Sequence, residues 1–149
     1  MEILDTVRAV LAQKGTEIWS VPPDVTVYDA IALMAERNIG ALLVMEDQRL
    51  VGLLSERDYT RKVILMGKQS KVTNVREIMS TDVTTVGPLD TVEHCMHLMT
   101  KKRVRHLPVL EQDRVVGVVS IGNLVNWIIS VQGAAIDQME RYISSEYPG

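Results

Sequence analysis

Two short segments place a hydroxyl three residues ahead of a carboxylate or an amide, Ser55-Glu56-Arg57-Asp58 and Ser120-Ile121-Gly122-Asn123. At the start of a helix this spacing makes a capping box: the serine oxygen takes a free amide and the later side chain reaches back to the serine backbone. The same helix N-terminus attracts anions through its dipole and unpaired N–H groups. Arg57 adds a cation suited to phosphate. The motif therefore has two readings, a structural cap or an anion site at a helix start. A carboxylate accepts hydrogen bonds from both hydroxyls of a ribose diol, whereas an amide offers one oxygen acceptor and an NH2 donor. Asp58 and Asn123 thus make the two motifs unequal as acceptors.

Other reactive side chains point to plainer roles. Arg61 and Lys62 follow Arg57 on the same predicted helix and read as a solvated basic face. The run Lys101-Lys102-Arg103-Val104-Arg105-His106 is basic but short and free of aromatics. It lies in a chain of net charge −3 and isoelectric point about 5.6, which argues against nucleic-acid binding through bulk charge. Glu93, His94, Cys95 and His97 resemble a metal-ligand cluster. However, Val92, Cys95, Met96 and Met99 recur at core spacing, which leaves His94 and His97 on another face and makes Cys95 a small apolar residue. No metal site is expected. Nucleophile elbow, P-loop, GxGxxG and metal-ligand frameworks are all missing from the sequence, so an enzyme is not expected.

The elements that must position these residues occur twice. Across Val21–Tyr59 and Val86–Leu124, at a constant spacing of 65 residues, 13 of 39 positions are identical, among them Pro23/Pro88, Gly52/Gly117 and Ser55/Ser120. Average composition would give about two or three coincidences, so the chain carries an internal duplication. The predicted order in the first half is a strand over Glu17–Val21, a break at Pro22-Pro23, a helix from Thr26 capped toward Asp29, a hairpin (Ala41–Met45, Leu50–Leu54) and a second helix from Ser55. The second half repeats it with a strand near Val83–Val86, a helix from Asp90 or Thr91, strands Leu107–Leu110 and Val115–Val119, and a helix from Ser120. The expected class is α/β (α+β), with small sheets covered by helices. The expected boundaries are an N-terminal helix over 1–15, halves over 16–66 and 75–130, a linker over 67–74, and a C-terminal helix over 131–149. Leu4, Val7, Val10 and Leu11 form the stripe of the first helix, with Gly15 as its stop. Ile136, Met139, Tyr142 and Ile143 form that of the last.

With 149 residues, 46% of them hydrophobic, each half is too small to stand alone, so the halves should pack together. The unpartnered C-terminal stripe points to a homodimer. A lone Cys95 suits a reducing, cytoplasmic setting, and neither a signal peptide nor a membrane-spanning run is read from the sequence.

In Ile39-Gly40-Ala41-Leu42-Leu43-Val44, Gly52 through Tyr59, Arg103 through Val109 and Gly117 through Leu124, the chain resembles the cystathionine-β-synthase-type (CBS) domain pair, or Bateman module. Its extensions resemble those of small bacterial stand-alone CBS-pair proteins. The resemblance implies two domains related by a pseudo-two-fold axis and regulatory binding of adenine nucleotides (AMP, ATP, ADP, NAD) or S-adenosylmethionine in clefts between them. It places nucleotide-binding residues at Ile18, Ala41, Leu42, Ser55, Arg57 and Asp58, and at Val83, Arg105, His106, Pro108, Ser120 and Asn123. Asn123 departs from the family's usual Asp, so the resemblance implies two unequal sites, with the firmer ribose contact at Asp58. No cofactor is required by this reading, and the regulated partner is a separate, unidentified protein. A purely structural dimerisation module with empty clefts, and a minor nucleotide-processing enzyme, are the alternatives.

Overall fold

A computed structural model of the chain describes residues 5–146, with the side chains of Ala135 and of 142–146 excluded. Leu4 of the N-terminal stripe, and the side chains of Tyr142 and Ile143, lie outside the described residues. The order is α1 (Val7–Lys14), β1 (Ser20–Val21), α2 (Val27–Arg37), β2 (Ala41–Glu46), β3 (Arg49–Ser55), α3 (Glu56–Tyr59), α4 (Val92–Lys102), β4 (His106–Glu111), β5 (Arg114–Ser120) and α5 (Ile121–Glu146). This is the mixed fold of tandem small sheets and helices that the repeat requires. Among the described residues no helix is long and apolar enough to cross a membrane.

The two halves use the same local devices. Thr26 and Thr91 cap α2 and α4 by accepting from Asp29 N and His94 N at 3.2 and 3.1 Å. Each helix closes on a left-handed residue, Asn38 (φ 54°) or Arg103 (φ 56°). The hairpins β2–β3 and β4–β5 pair in the same register, Ala41↔Ser55 and His106↔Ser120. Both turn through two left-handed residues, Asp47-Gln48 and Gln112-Asp113, whose twist matches that of the strands. Val27, Ala30, Met34, Leu42, Val44 and Leu54 are buried in the first core; Val92, Cys95, Met99, Leu107, Val109 and Val119 are buried in the second.

Three expected elements differ. The first strand is shorter than Glu17–Val21: only Ser20 and Val21 pair, in parallel, with Leu43 and Val44. Its counterpart near Val83–Val86 shrinks to a single bridge between Val86 and Val109. The reason lies at Pro108. In the first half Leu43 N–H donates to Trp19 C=O at 3.1 Å, and at the equivalent position Pro108 has no N–H to give Thr84. The helix expected after Gly133 does not begin there, because α5 runs unbroken for 26 residues from Ile121 to Glu146.

A second repeat, offset from the first, ties the halves together. Val7 N donates to Asp90 O (2.8 Å), Arg8 N to Pro88 O (2.9 Å), and Asp5 O accepts from Val92 N (2.8 Å). In the other half Val75 N donates to Val25 O (2.9 Å), Arg76 N to Pro23 O (2.8 Å), and Thr73 O accepts from Val27 N (2.8 Å). Leu11 lies against Gly117 as Met79 lies against Gly52. Each segment thus precedes one half and docks on the other. Val7, Val10 and Leu11 complete the second core, and Val75 and Ile78 the first.

Candidate functional site

Both serine motifs fold as capping boxes. Asp58 Oδ2 accepts from Ser55 N and Ser55 Oγ at 3.0 Å each, and Asp58 N donates to Ser55 Oγ at 3.2 Å. Asn123 Oδ1 accepts from Ser120 N at 2.8 Å, and Asn123 N donates to Ser120 Oγ at 3.1 Å. Each helix start is also held by the residue just ahead of the neighbouring strand: Glu56 N donates to Gly40 O (3.1 Å) and Ile121 N to Arg105 O (2.9 Å).

The surroundings of the two motifs differ. The other oxygen of Asp58 meets Lys62 Nζ at 3.3 Å and Ser80 Oγ at 3.4 Å, so its acceptor sites are largely occupied within the chain. Lys62 also donates to Ile78 O at 2.9 Å, so its ammonium is anchored while its side chain stays 45% exposed. Arg57 reaches across to the second half, Nη1 to Arg103 O at 3.2 Å. Ser120 and Asn123 instead open onto a cleft of about 360 Å³ between the halves.

One wall of this cleft is the entrance to β2, Asn38 to Ala41, with Trp19, Leu43 and Leu53; the facing wall is His106, Val118, Ser120 and Asn123. The end of α1 closes a third side with Lys14, Gly15 and Glu17. Lys14 Nζ donates to Val118 O at 2.6 Å. Burial lowers its pKa, and Glu17 opposes that shift. His106 also has a lowered pKa, chiefly from burial, then from the Arg105 and Lys14 charges. A Cβ at Gly40 would stand 3.6 Å from His106 Cε1, so the imidazole packs close to the first half.

Of the residues singled out from the sequence, Ala41, His106, Ser120 and Asn123 come together in this cleft. Ile18 is half-buried between two cleft residues, Glu17 and Trp19. Leu42 is 1% exposed and Pro108 is buried, so both side chains belong to the core. Val83 is half-buried in an irregular segment, and Arg105 is exposed, with its carbonyl engaged by Ile121. Ser55, Arg57 and Asp58 gather with Lys62, Ser80 and Arg103 instead. Sequence reasoning passed over Lys14, Glu17, Trp19, Asn38 and Gly40. Lys14 carried a usable signal, a cation in the last turn of a helix just before Gly15. A shallower depression of about 560 Å³ follows one face of α4 beside His94 and His97, and with all its lining on one helix no groups converge across it. Cys95 is fully buried, its pKa pushed up to about 11 by burial and by Asp90.

A family model for the CBS domain matches residues 8–64 and again 75–130. The chain belongs to the CBS domain family. It is similar to the Arabidopsis thaliana mitochondrial CBS domain-containing protein CBSX3, at 38% identity over 95% of this chain and 73% of that protein. The crystallised CBS domain protein NE2398 is 49% identical, covering 84% of this chain and 98% of that one, with a TM-score of 0.82. A Burkholderia ambifaria protein with CBS domains, provisionally described as a signal-transduction protein, is 47% identical over 84% of this chain and 94% of that one, also at a TM-score of 0.82.

Proposed function

We propose that this CBS pair is a regulatory module, a homodimer, that binds an adenine nucleotide in the cleft between its halves without turning it over. The observation that carries the reading is that cleft. At about 360 Å³ it falls within the roughly 300–1,000 Å³ range of small-molecule sites. It also joins groups from both repeats around the N-terminus of the long helix α5. The exposed start of α5 and the Lys14 ammonium suit a phosphate, Ser120 and Asn123 suit ribose hydroxyls, and Trp19, Ile39 and Leu53 suit a base. Both motif serines already serve their caps, which fits binding rather than nucleophilic chemistry. The CBS pair of protein MJ0100, a fold neighbour at 22% identity, was crystallised with 5′-methylthioadenosine and S-adenosylmethionine. An adenosine-sized ligand is therefore compatible with the architecture. A cytoplasmic location and an effect on a separate protein belong to the same reading.

Thermal shift with AMP, ATP, NAD and S-adenosylmethionine at millimolar concentration tests it. At a hundredfold excess over Kd a ligand adds about 2.7 kcal/mol, or roughly 5–10 °C for a chain of this size. Asn123→Ala should reduce the shift. Asp58→Ala, which loosens a cap tied to Lys62 and Ser80, should lower the ligand-free melting temperature and leave the shift in place. No response to any ligand would favour the structural-module reading, and release of a hydrolysed nucleotide the enzymatic one.

A further inference from the structure

Trp19 stands in the cleft wall with a partner behind it. The Arg37 guanidinium lies over its ring, 4.3 Å from the centroid, and Arg37 is not among the residues that line the cleft. One face of the indole is thus taken by a cation, and the opposite face is the one left to the cleft. The backbone is held as well: Leu43 N–H donates to Trp19 C=O at 3.1 Å, and Leu43 lines the same cleft. Arg37 closes α2 and makes no ion pair among the described residues. The duplication supplies an internal control. At the 65-residue spacing the counterparts of Trp19 and Arg37 are Thr84 and Lys102. Lys102 closes α4 in the same way, so a cation at this helix end serves the helix dipole in both halves, but only the first half has a ring beneath it. The second half builds the same hairpin and the same preceding helix without the pair, so the fold does not require it.

Resting on the nucleotide reading, we propose that the base of the ligand stacks on the free face of Trp19 and that Arg37 is a positioning residue for that stack. A cation over one face holds an indole in place, and a planar guanidinium does so better than an ammonium because it lies flat on the ring. A ring already fixed loses less freedom when a ligand settles on it, which raises affinity without any new contact to the ligand. The gain grows with the area of the stacked ring, so it favours a bicyclic purine over a pyrimidine. Arg37 thereby sets the base preference through Trp19, from outside the cleft and without touching phosphate.

Fluorescence and paired titrations test this. The chain has two tryptophans; Trp127 donates to Asp5 Oδ2 at 2.9 Å and packs on the second core, so in a Trp127→Phe background the emission reports Trp19. AMP should quench it. Unchanged emission while calorimetry records bound AMP would overturn the stack and leave the nucleotide reading intact, whereas neither heat nor quenching with AMP would overturn both. AMP and CMP share ribose and phosphate and differ in the size of the base. Trp19→Leu, which keeps apolar bulk against the first core, should weaken AMP roughly tenfold or more and CMP less. Arg37→Gln should weaken AMP about two- to fivefold, again lowering the ratio of AMP to CMP affinity, and Arg37→Lys should recover part of the loss. Equal weakening of both nucleotides by Arg37→Gln would mean that the guanidinium acts on phosphate as a bare charge, and would overturn its positioning role.

Discussion

Leu11 and Gly117 form the contact through which the N-terminal segment seats on the second half, and a double-mutant cycle there measures that seat. Leu11 is 6% exposed, and a Cβ built on Gly117 would lie 2.8 Å from its Cδ2 and 3.0 Å from its Cδ1. Truncation by Leu11→Ala removes a buried side chain facing a residue with nothing to fill the void, and should cost about 3 kcal/mol within the usual 2–5. Gly117→Ala alone drives a methyl into that leucine. The overlap should cost about 1–3 kcal/mol, offset in part by the better strand backbone of alanine. In the Leu11→Ala background the clashing atoms are gone and the new methyl enters the vacated space. Gly117→Ala should then be neutral or stabilising, giving a coupling of about 2 kcal/mol, well above the roughly 0.3–0.5 kcal/mol expected of independent sites. Urea unfolding with unchanged m-values is the assay. If Gly117→Ala costs the same in both backgrounds, α1 does not seat on β5 as described.

The cleft and the proposed homodimer each give a further expected outcome. Because burial lowers the His106 pKa below 6.5, the unfolded chain takes up the proton first as pH falls. Ligand-free stability should therefore decline as pH drops through about 6.5, while an anionic nucleotide, which favours protonated His106, should bind more tightly; denaturation and calorimetry across that range, with His106→Gln as control, check both. If nucleotide and dimer are coupled, each must shift the affinity of the other by the same factor; sedimentation with and without AMP, matched to titrations at two protein concentrations, checks that reciprocity.

The parts of the fold legible in the sequence were those whose signal repeats locally. Thr26/Thr91, the polar hairpin turns and the strand pairs of the 65-residue repeat announced themselves through caps, alternation and identity. The features that stayed hidden were long-range. The segments Asp5–Leu11 and Thr73–Met79 are equivalent at a spacing of 68 residues rather than 65, so the alignment that exposed the duplication could not expose them. Their signal is faint but present: Val7-Arg8 and Val75-Arg76 are identical, and Val10-Leu11 matches Ile78-Met79 in character. The missing strand before Val86 was legible through Pro108, whose lost donor matters only once its partner at Thr84 is known. The site was half legible for a similar reason. The serine motifs could be read, but Lys14 enters the cleft only because α1 crosses to the other half, and Ser80, which joins Lys62 on the second oxygen of Asp58, comes from a segment 22 residues away.

The asymmetry between the halves resides mainly in the chain beyond each serine motif. After Asp58 come the short remainder of α3, a π-turn and a reversal at Gly67, and Lys62 and Ser80 bind the carboxylate. After Asn123 the helix continues to Glu146 and the amide faces a cleft. Asn123 and Met139 are 16 positions apart on one helix, a rise of about 24 Å at 1.5 Å per residue. A tilt of about 5° at the cleft end would displace the far end by about 2 Å along that length, a shift of the size seen for helices at switching interfaces. The proposed nucleotide contact and the exposed apolar stripe at Ile136 and Met139, which points to the homodimer, would then sit on one stiff element. Coupling between them would need no chain of intermediate residues, only that the two subunit packings differ in the angle at which they accept α5.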